Sequence, residues 1–413
     1  MKQAVRNYLV FLWRCGRLAF VGDWRYYTWM GVLSVFCLLG LNAYARQFAN
    51  GLIVTGMSDE VSWGVYIANF TFLVGVAAAA VMMVIPVYIY KNEDLHDLVI
   101  FGELLAVAAI LMCLAFVTVD LGRADRFWHL IPGIGVFHFP GSMLSWDVLV
   151  LNGYLLLNLH ICGYTIYCRY CGRRPAKWFY IPFVFIGIAW AVSIHTITAF
   201  LYVGLGGRPF WNSAVLGPRF LASAFTAGPA FIILTLQIIR RFSEYRITDK
   251  ALLTLRSIVQ VAMLINLFLL ANEVFTDFYT TDRNMSSTRY LFLGLHGFHA
   301  LVPWIWTAIS LNLISAILLM LPVTRQVKWL NVACVLTVFG IWIEKGMGMV
   351  IPGFIPSPLG EMVEYTPTLN EDLVCIGIWA FGFLCFTLFL RMSVPILEGK
   401  LSQANEPSAA VHG

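Results

Sequence analysis

The sequence predicts an all-α integral membrane protein of about ten transmembrane helices, and three observations predict it. Hydrophobic residues make up 60% of the chain and charged residues only 12%, where a soluble domain carries roughly 25% charged. The mean hydropathy is +0.78, so a soluble fold of 413 residues would lack the polar coat it needs. The apolar residues also fall into separate runs, each near the ~20 residues required to cross a bilayer. The net charge is +5, and no long Lys/Arg run interleaved with aromatics argues for a nucleic-acid partner.

Residues 1–26, "MKQAVRNYLVFLWRCGRLAFVGDWRY", are basic and aromatic, with short apolar runs and no A-x-A cleavage signal. They read as an interfacial amphipathic helix on the cytoplasmic side. The membrane domain covers 27–395. Its spans are expected at 27–45, 61–90, 97–121, 145–168, 178–204, 218–240, 252–278, 290–320, 328–350 and 371–395. The second and eighth exceed what a ~30 Å hydrocarbon core needs and are expected to tilt or project into water. Residues 396–413 read as a disordered cytoplasmic tail. "GPRFLASAFTAGPAFIIL" in the sixth span loosely resembles "VSWGVYIANFTFLVGVAAAAV" in the second. Small residues in both suit close helix packing, and two four-helix bundles with peripheral helices are the expected arrangement.

Lys and Arg set the orientation. With both termini cytoplasmic, Lys345 is intramembrane and only Arg46, Arg123, Arg126, Arg208, Arg219, Arg283 and Arg289 of the 27 basic residues fall outside. The outer loops are long, notably 122–144, 204–217 and 351–370, the last rich in Pro and Gly. They suit either a docking surface or plain connectors. The expected location is a bacterial or archaeal inner membrane. The nine cysteines are scattered through apolar runs; Cys168 and Cys171 form a single C-x-x-C, short of the ~4 ligands a zinc or iron–sulfur site needs.

Ionisable residues inside the spans cluster toward the outer leaflet. Asp120 closes the third span and Asp147 opens the fourth. His195, His296, His299, Glu344 and Lys345 lie in outer halves, and Glu273 and Asp277 close the seventh span. Only Glu103 and His160 fall in an inner half. An intramembrane charge costs ~2.5–3.5 kcal/mol at a helix centre, so such groups face a bundle interior or a wet cavity unless they snorkel at the rim. Adjacent residues sit about 100° apart on a helix, so Glu344 and Lys345 are expected to point to different neighbours. His195 and His299, at similar depth, leave a haem b conceivable; hydrogen-bonded or proton-relaying histidines are the other reading.

"VTVDLGRADRFWH" and "LSWDVL" place Asp120, Arg123, His129, Trp146 and Asp147 at one membrane rim. "VSWGVYIANF" adds Trp63, Tyr66 and Asn69. Carboxylates and imidazoles beside an aromatic wall and a lipid-side entrance suit a quinone, whose reduction needs two electrons and two protons. The bland alternative for the aromatics is an interfacial belt. The chain shows no C-x-x-C-H, no ferredoxin cysteine run and no G-x-G-x-x-G after a strand. No haem or iron–sulfur cluster is expected in it, and electrons are expected to pass to a partner.

On these segments, together with "GLIVTGMSDEVSWGVYIANFTFLVG" and "WIEKGMGMVIPGFIPSPLGEMVEYTPT", the chain resembles the NrfD/PsrC family of quinone-interacting membrane subunits. The resemblance covers about 27–395. It is strongest to the ten-helix branch, with the membrane subunits of the menaquinone reductase, sulfite reductase-linked and high-molecular-mass cytochrome complexes of sulfate reducers and of alternative complex III. It implies a haem-free fold of two four-helix bundles and a menaquinone site near the periplasmic face of the first. It also implies a periplasmic ferredoxin-like iron–sulfur partner, often with a multihaem cytochrome c. The aspartate of the "WD" pair matches Asp147. Asp120 stands where alternative complex III subunits have histidine, a departure that still leaves a proton-exchanging group. The family's second-bundle groups for proton passage map onto Glu273, His299 and Glu344.

The leading expectation is thus a quinone-reactive subunit, active only in its complex, with Glu103, His160, His195, Glu273, His299 and Glu344 as proton-relay candidates. Two other classes are a secondary transporter or ion channel, recognisable by flux through the isolated chain, and a haem b quinol cytochrome, recognisable by its spectrum.

Overall fold

The computed structural model describes residues 2–279 and 282–403; within these, the side chains of 2–4 and 282–284 are left aside. Most of the expected C-terminal tail, 404–413, lies outside the described residues. An N-terminal helix, α1 (Lys2–Leu18), precedes ten apolar helices long enough to span a membrane. They are α2 (Trp24–Asn50), α3 (Val65–Ile89), α4 (Val99–Asp120), α5 (Met143–Tyr170), α6 (Lys177–Val203), α7 (Leu216–Phe242) and α8 (Asp249–Tyr279). After a short helix, α9 (Asp282–Leu293), come α10 (Val302–Met320), α11 (Val327–Phe354) and α12 (Leu369–Leu397). Among the described residues there is no strand beyond two isolated bridges.

Helices α3–α6 form one bundle and α7–α11 a second, while α2 and α12 pair with each other and lie against α4. Four spans make the inner layer: α3, α4, α7 and α11 are 72–83% buried over their most apolar stretch, against 17% for α2. This follows from composition, since a helix apolar on every face is stable only when neighbours or lipid cover all of it. Small residues set the contacts. A Cβ on Gly228 of α7 would stand 2.9 Å from that of Ala79 in α3, and one on Gly40 would stand 2.6 Å from Gly377 Cα. Without a hydrophobic drive between helices in lipid, such backbone approach supplies the dispersion contact that holds them.

Local chemistry fixes the ends. Asp23 caps α2 by accepting from Tyr26 N at 3.0 Å. Thr368 and Glu371 form a capping box on α12, the reciprocal Thr-x-x-Glu arrangement that satisfies two orphan amides. Glu371 is fully buried and also accepts from Gly56 N (2.7 Å) and Tyr365 Oη (2.6 Å), which ties two long loops together. Burial, then the neighbouring Glu371 carboxylate, push the Tyr365 phenol above its ordinary range, so it stays a donor.

Three expectations are corrected. The second span starts at Val65, so Trp63 precedes it, and its excess length goes into a π-helical turn, Ile85–Ile89, around Pro86. The eighth span is two helices: the chain breaks after Leu293 and restarts at Val302. Gly294 (φ 82°), His296 (φ 52°) and Gly297 (φ 90°) adopt left-handed backbone there, which a continuing helix excludes. The ninth span carries a π-helical turn, Trp342–Met347, where the sequence suggested an unbroken helix.

Candidate functional site

Polar side chains gather in two places near the face that carries the long loops. The first is at the ends of α2 and α4. Gln47 is buried; its Nε2 donates to Val119 O and its Oε1 accepts from Tyr66 Oη, both at 2.6 Å. Beside it opens a cavity of about 290 Å³, whose lining includes Tyr44, Gln47, Phe48, Leu52, Gly122 and Arg123. This is at the lower edge of the volumes that hold small organic ligands. Asp120 is the last residue of α4, directly before this lining, and its buried Oδ1 has no hydrogen-bond partner among the described residues. A buried carboxylate oxygen left unpaired is costly, and such atoms commonly mark a place where a ligand or water belongs.

Asp147 is not in that lining. It is buried in α5 and accepts from Thr198 Oγ1 of α6 at 3.2 Å. Tyr202, one turn further along α6, is hydrogen-bonded to Thr71 and lies within electrostatic reach of both Asp147 and Asp120. Asp147 thus belongs to the α5–α6 contact and Asp120 to the cavity edge, and the two do not face one open pocket. His195 is fully buried on the same helix, with Nδ1 2.8 Å from Ala191 O.

The remaining expected site residues spread out. Arg123 is exposed and forms a two-pronged pair with Asp125 at 2.8–2.9 Å. His129 is exposed and stacks on Trp128, ring centroids 3.8 Å apart. Trp146 turns outward onto Phe139 and donates to Pro140 O at 2.9 Å. Trp63 packs among Tyr202, Trp211 and Phe354. Asn69 faces the far side of α3, where its Oδ1 accepts from Trp342 and Trp379 at 3.0 and 2.9 Å. Trp63, Tyr66 and Asn69, expected together at the membrane rim, thus diverge, the helix beginning two residues after Trp63.

The second cluster lies inside the α7–α11 bundle. Arg219 of α7 is hydrogen-bonded to Glu273 of α8 and reaches Glu344 of α11 at 3.3 Å. Asn266 and Asn312 donate to Glu344 at 3.2 and 2.7 Å, and all five residues are buried. Lys345 turns the other way: its Nζ donates to Phe220 O at 3.1 Å and sits 4.3 Å above the Phe220 ring. The π turn bears both residues, and they point to different neighbours as adjacent positions must. Further along, Ser315 and Thr337 are hydrogen-bonded at 2.7 Å.

One relay candidate is placed differently from expectation. His299 lies exposed in the turn between α9 and α10, its Nδ1 2.9 Å from Gly297 O, because the expected eighth span breaks there. The His195–His299 pairing considered for a haem is thereby removed, one partner being buried in α6 and the other outside any span. His160 packs against Phe179 and Phe183 on the outward side of α5, away from Glu103. Glu103 is buried instead beside Tyr154 and Asn158, around a void of about 10 Å³, the size of one water.

Sequence reasoning missed Gln47, Arg219, Asn266, Asn312 and Glu371. Arg219 falls at the very rim of the expected sixth span, 218–240, where a charge reads as facing the headgroups. The helix begins at Leu216, which carries Arg219 about one turn in.

Comparison with known proteins fits this architecture. The family model for polysulphide reductase, NrfD, matches residues 53–355. The chain belongs to the NrfD family. It is similar to the Hdr-like menaquinol oxidoreductase integral membrane subunit of Archaeoglobus fulgidus, at 21% identity over 92% of this chain and 96% of that one. A protein of Halobacterium salinarum named for the membrane subunit of a dimethyl sulfoxide reductase is 24% identical over 88% and 90%. The menaquinone reductase integral membrane subunit of Nitratidesulfovibrio vulgaris is 22% identical over 89% and 91%. With ten apolar helices and membrane subunits as relatives, this NrfD-family chain is an integral multi-pass membrane protein.

Proposed function

We propose that this chain is the quinone-reactive membrane subunit of a respiratory oxidoreductase complex, exchanging electrons between menaquinone or menaquinol and a periplasmic iron–sulfur subunit. Family membership and relatives named for menaquinol oxidation and menaquinone reduction support it. The single observation that carries it is the cavity at the ends of α2 and α4, with Gln47 in its wall and the unpaired Asp120 oxygen at its edge. The residues fit a quinone ring. Tyr44, Phe48 and Leu52 offer an apolar wall, Gln47 a polar contact, and Asp120 a group that accepts or returns a proton at Oδ1.

Oxidation of a quinol releases two electrons and two protons; reduction takes up the same. Asp120 exchanges protons at the ring, and Asp147, through Thr198 and Tyr202, supplies a second carboxylate behind it. Arg123 and His129, exposed beside the cavity mouth, face the partner that takes or gives the electrons, with a multihaem cytochrome c beyond it. We read this face as periplasmic, with both termini cytoplasmic, from the Lys/Arg asymmetry. In the second bundle, Glu273, Arg219, Glu344, Asn266 and Asn312 followed by Ser315 and Thr337 give protons a polar route part-way through the membrane.

The test is quinol-linked turnover of the purified complex carrying Asp120→Asn or Gln47→Leu. At least a roughly tenfold loss with each is expected, the usual scale for removing a general acid–base group or a positioning contact. If both variants keep wild-type turnover and quinone affinity, the site is elsewhere.

A further inference from the structure

The face opposite the long loops carries most of the chain's basic residues. Under the second bundle some are paired: Arg240 with Asp249 at 2.5 Å, Lys250 with Asp94 at 2.8 Å, and Lys400 with Glu244 at 2.7 Å and Glu398 at 3.1 Å, while Arg241, Arg246, Arg325 and Lys328 are exposed and meet no carboxylate among the described residues. Under the first bundle acidic residues are scarcer still. Residues 1–22 and 148–243 contain no Asp or Glu at all, yet they supply Arg6, Arg14, Arg17, Arg169, Arg173, Arg174 and Lys177 to this side. Arg169 reaches across to Asp97. Arg17, Arg173, Arg174 and Lys177 are exposed and have no carboxylate partner among the described residues.

The fold sets α1 beside the end of α5. Helix α1 docks on the end of α5 through Phe11, whose ring lies 5.2 Å from Tyr167 and 5.1 Å from Tyr170. Arg17 follows Phe11 by six residues, about 9 Å along the helix. Arg173 and Arg174 follow the Cys171–Gly172 turn at the end of α5. The elbow joining α1 to α2 is clamped: Arg391 donates to Val21 O at 3.0 Å and stacks over Tyr26, which itself donates to Ala19 O at 2.6 Å. Hence α1 is held in place rather than loosely attached. Flanking the charges, Trp13 and Trp178 are 74% and 79% exposed, as indoles are where they sit among lipid headgroups.

We propose that α1 and the α5–α6 turn form a binding site for an anionic phospholipid headgroup, with Arg17, Arg173, Arg174 and Lys177 as its phosphate ligands. The unbalanced positive charge selects the occupant: clustered arginines and lysines beside a membrane-lying helix attract anionic headgroups, and guanidinium forks match phosphate oxygens. The exposed tryptophans place that charge at headgroup depth. The carboxylate-paired Arg240 and Lys250 on the same face serve as an internal control.

The experiment uses the delipidated full-length chain, incubated with tetraoleoyl cardiolipin, dioleoyl phosphatidylglycerol or dioleoyl phosphatidylcholine, with retained lipid counted by native mass spectrometry. Wild type is expected to retain cardiolipin and phosphatidylglycerol over phosphatidylcholine. The triple variant Arg17→Gln, Arg173→Gln, Arg174→Gln is expected to lose at least roughly tenfold in that retention. The double variant Arg240→Gln, Lys250→Gln, which removes two carboxylate-paired charges, is expected to keep it. Equal retention of all three lipids by wild type, wild-type retention by the triple variant, or equal loss in the double variant overturns the proposal.

Discussion

The two polar clusters differ in how their buried carboxylates are bonded. In the α7–α11 bundle, Glu344 accepts from Arg219, Asn266 and Asn312, and Arg219 also holds Glu273. Near α2 and α4, Asp120 Oδ1 has no partner and borders an open cavity. The amide oxygens of Asn266 and Asn312 lack a partner among the described residues, but Glu273 and Glu344 are both paired, and removing Arg219 would strand them as buried charges. A buried carboxylate oxygen without a partner contributes little to the fold and is free to meet something else. The contrast separates residues whose loss unfolds the protein from residues whose loss silences it.

The largest effect that would sharpen this contrast comes from Arg219→Leu. It leaves two buried carboxylates unpaired, and removing one member of a buried ion pair costs about 3–5 kcal/mol. Thermal unfolding in detergent should show a marked fall in midpoint; an unchanged midpoint would break the contrast. Next is Gln47→Leu, which strands Tyr66 Oη and Val119 O and should cost about 1–3 kcal/mol, read by the same melt. Asp120→Asn should shift the midpoint by under about 0.5 kcal/mol equivalent, while turnover in the complex falls. A large destabilisation there would show Asp120 to be structural.

The smallest effect concerns the opposite face. His96, then Arg169, hold the Asp97 carboxyl at about 2, below its ordinary 3.8. A depressed carboxylate stabilises the fold above its unfolded pKa, and that contribution is lost as pH falls through the folded value. The melting midpoint of Asp97→Asn should therefore lie slightly below wild type near neutrality. The gap should close between about pH 4 and pH 2.

The ten spans were legible because each is a long apolar run bounded by charge, a signal that needs no partner to be read. The break in the eighth was legible too, in "GLHGFHALVP", where Gly294, Gly297 and Pro303 interrupt an apolar stretch; run length outweighed them. Asp120 and Asp147 stand out because a carboxylate at a span end is rare. Gln47 and Arg219 do not, since a polar residue within a turn of a helix end looks the same whether it faces headgroups or the bundle. Only tertiary contacts make that choice: Tyr66 from α3 for Gln47, Glu273 from α8 for Arg219. Trp63, Tyr66 and Asn69 show the converse failure. All three fall inside one apolar run, but the helix starts between the first two.

The π-helical turn at Trp342–Met347 accommodates one surplus residue in the ninth span. A residue turns an α-helix by about 100°, so excising one position there would swing everything on one side of the cut around the axis. Glu344 would leave the asparagines, or Lys345 would leave Phe220, depending on which flank yields. The charge pattern of the molecule's interior is thus set by counting as much as by chemistry, and a single-codon deletion in "WIEKGM" would scramble it with every charged side chain still present.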